Sequence, residues 1–361
     1  MDAAKEQIRG CERARKDSWK QRVRPYHAIL ISVVMCVASS EAHVGGGIAV
    51  GPDGNIYCVH TKRSQVLRIS PGGDVTVLAS GVLVEGGVQR THFHFPHHLA
   101  MDEGGNVYVA DDSGGGLWQI KPNGDASYYW PPKVSWQTLY VGMLGDPFTI
   151  DADKNVYVVN HPTTEGPDKA PHPQHAQILR VSQRMKIEVL AGSDRGYADG
   201  LKDKAQFGDL FRASLTMGPR GNLYVGEQYS VRLVTPTGMV TTLAGSATPG
   251  FRDGLGPKAR FDSITGIAVT TGGDVFVADA RNRRIRKIAA DGIVTTVAGS
   301  GERGSIDGPA NKASFVWPQG IAVDRFGTLY VIEVTGSKDW GFRVRKVTPE
   351  GVVSTLAVIP E

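Results

Sequence analysis

Histidines are concentrated in one part of this chain, where their spacing could support metal chemistry. Seven of the ten lie between residues 92 and 175: His92, His94, His97, His98, His161, His172 and His175. His92 and His94 are two residues apart, so an extended backbone would present both imidazoles to one side. Because imidazole binds Zn²⁺ and Cu²⁺, we predict a metal site formed by His92, His94, His97 and Asp146. The alternative is that these are loop histidines without a metal.

A second set of polar residues recurs at intervals along the whole chain. Each member follows a short apolar segment, and the set comprises His60, Asp111, Asn160, Glu227, Asp279 and Glu333. If their oxygen atoms converge on one point, they could hold Ca²⁺ or another hard cation. Alternatively, carboxylates at strand ends accept hydrogen bonds from backbone N–H groups and keep the strands in register.

The segments that carry these residues belong to a unit that occurs six times. The cores of the first strands begin at Ile48, Leu99, Phe148, Leu215, Ile267 and Ile321, with spacings of 51, 49, 67, 52 and 54 residues. Second strands follow at a fixed offset, beginning at Asn55, Asn106, Asn155, Asn222, Asp274 and Thr328. Glycine in most of the intervening turns supplies the positive φ that a short hairpin needs.

Third strands complete the pattern by carrying apolar residues at their first and fourth positions, as in Val66 and Ile69 or Ile285 and Ile288. Such positions face opposite sides of a strand, so each sheet must be covered on both faces. A fourth strand closes each unit, most clearly at 240–245 and 294–299. We therefore predict an all-β fold, a six-bladed β-propeller of four-stranded antiparallel blades.

The repeat resembles the NHL repeat over about residues 45–357. The resemblance is carried by Gly320-Ile-Ala-Val-Asp324 with Gly327-Thr-Leu-Tyr-Val331, and by Val277-Ala-Asp279 followed by Arg281-Asn-Arg283. A linker motif of Ala-Gly-Ser, Gly, Asp-Gly and Ala-x-Phe recurs at 191–207, 244–261 and 298–315, as in extracytoplasmic bacterial and plant members. The resemblance implies the propeller fold and says little about function, because propellers host unrelated activities.

Strand direction predicts where a site would lie. If first strands run down the central channel from a top face, then the second-to-third loops and the blade linkers share that face. Residues that open the first strands would also lie there: Gly46, His97, Asp146, Ala213, Thr265 and Gln319. The predicted ligand-binding residues are His97, Asp111, Asp146, Asn160, Glu227, Asp279, Arg281, Glu333, Trp136 and Trp340.

Three long insertions are expected on the same face, at 130–145, 160–177 and 333–341. They contribute Trp136 and Trp340 to the predicted site. Aromatic side chains around a polar opening suit a carbohydrate or peptide partner. The other interpretation is that these aromatic side chains pack the long loops onto the blades.

The segment 95–102 also resembles a first strand of the peptide-amidating lyases, six-bladed propellers in which a histidine after proline binds zinc. Only His97 carries over from that pattern. The family uses three such histidines, and the equivalent positions in the other blades hold Gly46, Asp146, Ala213, Thr265 and Gln319. Propeller hydrolases of the gluconolactonase type likewise place a metal at the channel opening, so Ca²⁺ or Zn²⁺ is the cofactor that these resemblances imply.

Charge argues against a nucleic-acid partner. The formal net charge of +4 is located in residues 1–24, which hold eight basic and four acidic residues, and the remaining chain is neutral. One basic cluster stands out, Arg281, Arg283, Arg284, Arg286 and Lys287. Some NHL propellers bind RNA through basic top faces, but arginine is also common in third strands.

The amino-terminal segment resembles a secretory signal. A basic stretch precedes the apolar run 28–38, and Ser40-Glu41-Ala42 forms an A-x-A-like cleavage site. The run is shorter than the roughly 20 residues of a membrane-spanning helix. We predict a signal segment over 1–42, a propeller over 43–361, a secreted or periplasmic location and no membrane span after cleavage. Alternatively, the apolar run is a strand that helps to close the propeller.

No nucleophile elbow, phosphate-binding glycine loop or metalloprotease helix occurs in a credible context. The sequence therefore favours a non-catalytic recognition propeller that binds a protein, peptide or glycan through its top face. The alternative is a metal-dependent lyase or hydrolase that uses His97, Asp146 and the acidic residues.

Overall fold

The computed structural model describes residues 46–85, 88–91, 93, 96–111, 116–130, 147–160, 175–210, 213–336 and 341–361. The predicted signal segment, 1–42, lies outside these residues, as does the apolar run proposed as a closing strand. Within the described residues no helix has the length and hydropathy needed to cross a bilayer.

The first three blades each have four antiparallel strands in sequential order. Blade one contains β1 (Ile48–Val50), β2 (Ile56–His60), β3 (Gln65–Ile69) and β4 (Val75–Ser80). A hairpin of β5 (Val82–Glu85) and β6 (Val88–Thr91) follows. Blade two contains β7 (Pro96–Met101), β8 (Val107–Asp111), β9 (Gly116–Ile120) and β10 (Ala126–Trp130). Blade three contains β11 (Phe148–Ile150), β12 (Val156–Asn160), β13 (His175–Val181) and β14 (Ile187–Asp194).

Each of the last three blades has a fifth, two-residue strand that sequence analysis did not predict. Blade four contains β15 (Gly200–Leu201), β16 (Ser214–Met217), β17 (Leu223–Gly226), β18 (Ser230–Val234) and β19 (Met239–Gly245). Blade five contains β20 (Gly254–Leu255), β21 (Ile264–Val269), β22 (Val275–Asp279), β23 (Arg284–Ile288) and β24 (Ile293–Ala298). Blade six contains β25 (Gly308–Pro309), β26 (Pro318–Val323), β27 (Leu329–Val334), β28 (Phe342–Val347) and β29 (Val352–Ile359). The fifth strands come from the blade linkers and pair with the outermost strand.

In blades one, two, three and six an aspartate closes the turn between the first and second strands. In blade two, Asp102 accepts hydrogen bonds from the backbone N–H and the side-chain amide of Asn106, both at 2.9 Å, and from the Tyr108 hydroxyl at 3.0 Å. The same aspartate, asparagine and tyrosine set closes the corresponding turns of blades one and three. These side chains satisfy backbone donors that the tight turn would otherwise leave to water.

The hydrophobic core lies between blades rather than inside any one of them. Third-strand residues predicted to face both sides are buried, including Val66, Ile69, Ile285 and Ile288. Apolar clusters join neighbouring blades, and one of them joins blade six to blade one. Cys58 lies in that cluster, and burial raises the pKa of its thiol to about 12. The described blades therefore form a closed ring, as the sequence predicted.

The innermost strands approach one another so closely that glycine is required between blades. A Cβ atom on Gly320 of blade six would lie 2.2 Å from the carbonyl oxygen of Gly46 in blade one. A Cβ atom on Gly266 would likewise lie 2.4 Å from the carbonyl oxygen of Gln319. Each blade is built from consecutive strands, so the contact of blade six with blade one depends on this packing and not on a shared sheet.

Substitution of Gly320 by alanine tests the closure. We expect Gly320→Ala to lower the free energy of unfolding by roughly 1–3 kcal/mol, because the added methyl group must displace backbone. Gly272→Ala is the matched control, since its Cβ atom would have no neighbour nearer than 3.7 Å. Urea denaturation of both variants measures the difference, and equal stability of the two would contradict a tight contact at residue 320.

Candidate functional site

Antiparallel order places the ends of all second strands, and the beginnings of all first strands, at one edge of the ring, which we call the top face. The linkers between blades meet the same edge. The recurring polar residues therefore all lie within one residue of the end of the second strand: His60, Asp111, Asn160, Glu227, Asp279 and Glu333. The structure separates them into two groups by what their side chains contact.

In blade five, Asp279 is fully buried against an equally buried arginine. The Arg286 guanidinium donates to Asp279 Oδ2 at 2.7 Å and, on its other side, to the linker carboxylate of Asp253. It also donates to the backbone carbonyls of Arg252 and Arg260. Asp279 Oδ1 accepts from the backbone N–H of Asp262. We call this arrangement of buried arginine, strand-end carboxylate and linker aspartate the clasp.

Blades four and six contain the same clasp. Arg232 contacts Glu227 and Asp199, and Arg345 contacts Glu333 and Asp307. The arginine nitrogens again reach two linker carbonyls in each blade. Each linker aspartate also accepts hydrogen bonds from a threonine of the outermost strand, which holds the linker against the edge of the blade.

A phenylalanine of the linker packs against each clasp. The guanidinium carbons of Arg232, Arg286 and Arg345 lie 5.3, 5.0 and 5.1 Å from the ring centroids of Phe207, Phe261 and Phe315. All three rings are fully buried. Cation–π attraction in this dry setting adds to the ion pairs and helps to offset the cost of burying a guanidinium.

Burial also governs the protonation of these carboxylates. Desolvation raises the pKa of Asp279 to about 6, against the opposing effects of the Asp262 N–H, Asn282 and Arg286. Desolvation likewise raises the pKa of Glu227, opposed first by Arg232. Since Glu227, Asp279 and Glu333 have no solvent exposure and already contact arginine, their predicted role in ligand binding would require them to leave the clasp. That role stays a prediction.

The first three blades have no clasp because the arginine position holds Leu67, Trp118 and Leu179. In blade two, Trp118 takes the place of the guanidinium, and its ring centroid lies 6.2 Å from that of the buried Phe93. The corresponding strand-end residues are His60, Asp111 and Asn160. Sequence analysis did not identify the clasp, although its signal is present: a linker Asp-Gly, Ala-x-Phe, an acidic strand end and an arginine occur together only in blades four to six.

His60 connects blade one to the end of the last strand. Its Nε2 donates to the carbonyl of Pro360 at 3.1 Å, and its Nδ1 accepts from the backbone N–H of Arg63 at 3.3 Å. Lys62 and Arg63 contact Glu361 beside it. Burial lowers the pKa of His60, and the positive charges of Arg63 and Lys62 act in the same direction, while the hydrogen bond to Pro360 opposes them.

Partly exposed polar residues gather where the first strands begin. His97 and His98 of blade two and Gln319 of blade six are all partly exposed. A Cβ atom on Gly46 would lie 3.6 Å from Gln319 and 4.0 Å from His98, so Gly46, Gln319 and His98 lie close together near the axis. Thr265 donates to the carbonyl of Pro318 at 2.9 Å. In blade three, Asn160 is partly exposed and donates to Gln177 at 3.0 Å.

Several predicted site residues lie outside the described ones: Asp146, Trp136, Trp340, His92, His94, His161 and His172. The described residues contain no group of three or more histidine, cysteine or acidic side chains arranged to hold a metal ion. His175 is half-exposed, with Nδ1 3.0 Å from Asp194 Oδ1. The metal site at His92, His94, His97 and Asp146 stays a prediction.

Similarity to known proteins agrees with this architecture. Over 179 residues the chain is 31% identical to teneurin-4 of Mus musculus, which covers 45% of this chain and 6% of teneurin-4. It is 23% identical over 248 residues to peptidyl-glycine alpha-amidating monooxygenase A of Xenopus laevis, covering 67% of this chain and 24% of that protein. The chain is a six-bladed β-propeller of NHL-type repeats. It spans only a small part of the length of the curated relatives it matches.

Solved structures share the propeller fold. A protein of unknown function from Bacteroides thetaiotaomicron VPI-5482 superimposes with a TM-score of 0.62 at 20% identity, covering 86% of this chain and 70% of that one. An auxiliary nutrient binding protein from the same organism gives a TM-score of 0.59 at 13% identity, covering 87% and 70%. At these identities the likeness concerns the fold alone. No protein-family model matches the propeller.

The clasp predicts an asymmetric response to mutation. Asp279→Asn should lower the free energy of unfolding by about 3 kcal/mol, because Arg286 stays buried but loses its buried anionic partner and keeps only the half-exposed Asp253. The double variant Asp279→Asn with Arg286→Leu should regain stability, since blade three carries asparagine and leucine at these positions. The control is Asp253→Asn, whose side chain is 42% exposed and can be compensated by water. A double variant no more stable than Asp279→Asn would contradict this account.

His60 predicts a pH dependence of ring closure. The pKa of His60 is lower in the folded chain than in the unfolded chain, so the unfolded chain binds a proton at this histidine first as the pH falls. The contribution of neutral His60 to the free energy of unfolding is therefore complete above the unfolded pKa of about 6.5 and is lost at lower pH. We expect His60→Gln to narrow the difference in free energy of unfolding between about pH 7.5 and 5.5. Comparison with the wild-type chain removes the effect of other titrating groups, and an unchanged difference would contradict the assignment.

Proposed function

We propose that this propeller is an exported recognition module that binds a protein, peptide or glycan through its top face, with the contacts concentrated on blades one to three. The observation that carries the proposal is the distribution of the clasp. In blades four to six, the strand-end carboxylate is used to hold the linker. In blades one to three, that constraint is absent, so the same position can differ from blade to blade.

Polar groups that a ligand could contact lie in the same half of the ring. His97, His98 and Asn160 are partly exposed there, and Gly46 brings Gln319 of blade six close to His98. The strands β10 and β12 also end at the top face of this half, where two of the longest connections of the chain begin. Loops on a rigid scaffold are the usual location of binding residues in such folds. Trp136 and Asp146 belong to one of these connections and are part of the proposed contact set.

Export is supported by the sequence alone, through the basic stretch, the apolar run 28–38 and the A-x-A-like site ending at Ala42. Propellers similar in fold include one named for auxiliary nutrient binding, which shows that a binding role is compatible with this architecture. At 13% identity this likeness concerns the fold and not the ligand-binding surface.

Screening the full chain against glycan and peptide arrays tests the proposal. A ligand recovered in this way should bind His97→Ala and Asn160→Ala at least about tenfold more weakly, the loss that corresponds to one contact of about 1.4 kcal/mol. Phe326→Ala is the control, because this side chain is 72% exposed on the opposite face. Failure of both arrays to yield a ligand, or equal loss in the Phe326 variant, would contradict top-face recognition.

Metal removal separates recognition from the lyase or hydrolase alternative. If the propeller acts as a recognition module, treatment with a chelator should leave ligand affinity unchanged within about twofold. Elemental analysis of the purified chain provides the second measurement. Stoichiometric Zn²⁺ or Ca²⁺ that is lost in His97→Ala would instead favour a metal-dependent reaction at the channel opening.

A further inference from the structure

Arginines on the top face of blade five form a patch whose charge is not balanced by nearby carboxylates. The patch comprises Arg252, Arg260, Arg281, Arg283, Arg284 and Arg303, which we call the arginine patch. Segments 250–262, 279–286 and 300–303 together hold eight basic and four acidic residues. Because residues 25–361 are neutral in total, this excess of positive charge is local and leaves the rest of the propeller negative.

Contacts between three segments bring the patch together. The backbone N–H of Arg281 donates to the carbonyl of Asp262 at 3.1 Å, which joins the second-to-third loop to the preceding linker. The Arg284 guanidinium donates to the Ser300 carbonyl at 2.7 Å, and Arg283 donates to the Gly301 carbonyl at 3.2 Å. The next linker is therefore held against the same loop, and Arg303 lies two residues beyond Gly301.

The surrounding structure positions the Arg284 guanidinium most tightly. The Arg284 guanidinium lies 4.0 Å from the ring centroid of Phe251. A Cβ atom on Gly301 would lie 2.3 Å from Arg284 Nη2, so glycine makes room for that side chain. Arg284 is further fixed by the Asn282 carbonyl at 2.9 Å. Side chains held in this way lose little conformational freedom when a ligand binds.

Backbone carbonyls position the guanidiniums of Arg252, Arg283 and Arg284 without neutralising them. Among the described residues, Arg252, Arg281, Arg283, Arg284 and Arg303 form no ion pair with a carboxylate, whereas Arg180, Arg195, Arg232, Arg286 and Arg345 all do. Arg252, Arg281 and Arg303 are exposed. Guanidinium groups left in this state on a surface are suited to bidentate recognition of oxyanions.

We propose that the arginine patch binds an acidic peptide segment of a protein partner, with Arg281 and Arg303 contacting its carboxylates. This inference rests on the proposed function, because it uses the same top face for recognition. It adds the class of partner that blade five would bind. Glu302 and Asp253 are exposed within the patch, so its surface alternates in sign. A peptide can set carboxylates against arginine and a backbone N–H group against Glu302. A continuous polyphosphate chain would meet repulsion there, and the Arg284 guanidinium already lies over the ring of Phe251, where it would compete with a stacking base.

Binding of a glutamate hexapeptide to the full chain tests the assignment. We expect saturable binding that weakens with added salt and falls at least about tenfold in the double variant Arg281→Gln with Arg303→Gln. Arg325→Gln is the matched control, because Arg325 is an exposed arginine on the opposite face. Inorganic phosphate, a heparin oligosaccharide and a single-stranded oligonucleotide are titrated in parallel.

The assignment is supported if the peptide binds and the double variant alone loses it. It is overturned if the peptide fails to bind, if the Arg325 variant loses binding equally, or if heparin or the oligonucleotide binds through Arg281 and Arg303 more tightly than the peptide. If this assignment is overturned but a ligand from the array screen still binds more weakly to the His97→Ala and Asn160→Ala variants, the proposed top-face recognition remains supported.

Discussion

Every blade of this propeller has two apolar faces, and neither can be buried within the blade itself. The third strands show this most directly, because Ile285 and Ile288 face opposite sides and both are buried by neighbouring blades. Stability is therefore a property of the ring. The contact between blade six and blade one completes it through apolar side chains, the close approach of Gly320 to Gly46 and the hydrogen bond of His60 to Pro360.

Within this ring the two halves are held in different ways. Blades four to six place a buried arginine between a strand-end carboxylate and a linker aspartate, and so fix the path of the linker over the outer edge of each sheet. Buried ion pairs are often no more stabilising than apolar packing, so their value here is better explained by the geometry they impose on the linker. Blades one to three use apolar or aromatic side chains at the same position, as the packing of Trp118 on Phe93 illustrates.

This difference bears on function because both halves share the top face. The half without clasps carries the partly exposed polar groups near the axis and the longest connections. The half with clasps presents the arginine patch, which the clasp of blade five supports from beneath through the carbonyls of Arg252 and Arg260. This arrangement would let the proposed partner be held by charge at the half with clasps and contacted by varied polar groups at the half without them.

Sequence alone determined the fold, because strand periodicity and turn glycines are local signals and six copies reinforce one another. It also located the recurring strand-end residues, but tertiary structure decided what they do. Glu227, Asp279 and Glu333 look equivalent to Asp111 in sequence, yet only the first three face a buried arginine. That arginine follows five to twelve residues later in the chain, and the linker aspartate lies 33 to 38 residues before it. Such contacts depend on how the linker crosses the sheet, which strand patterns do not encode. The clasp, the fifth strands and the lack of carboxylate partners for the patch arginines are therefore visible only in the folded chain.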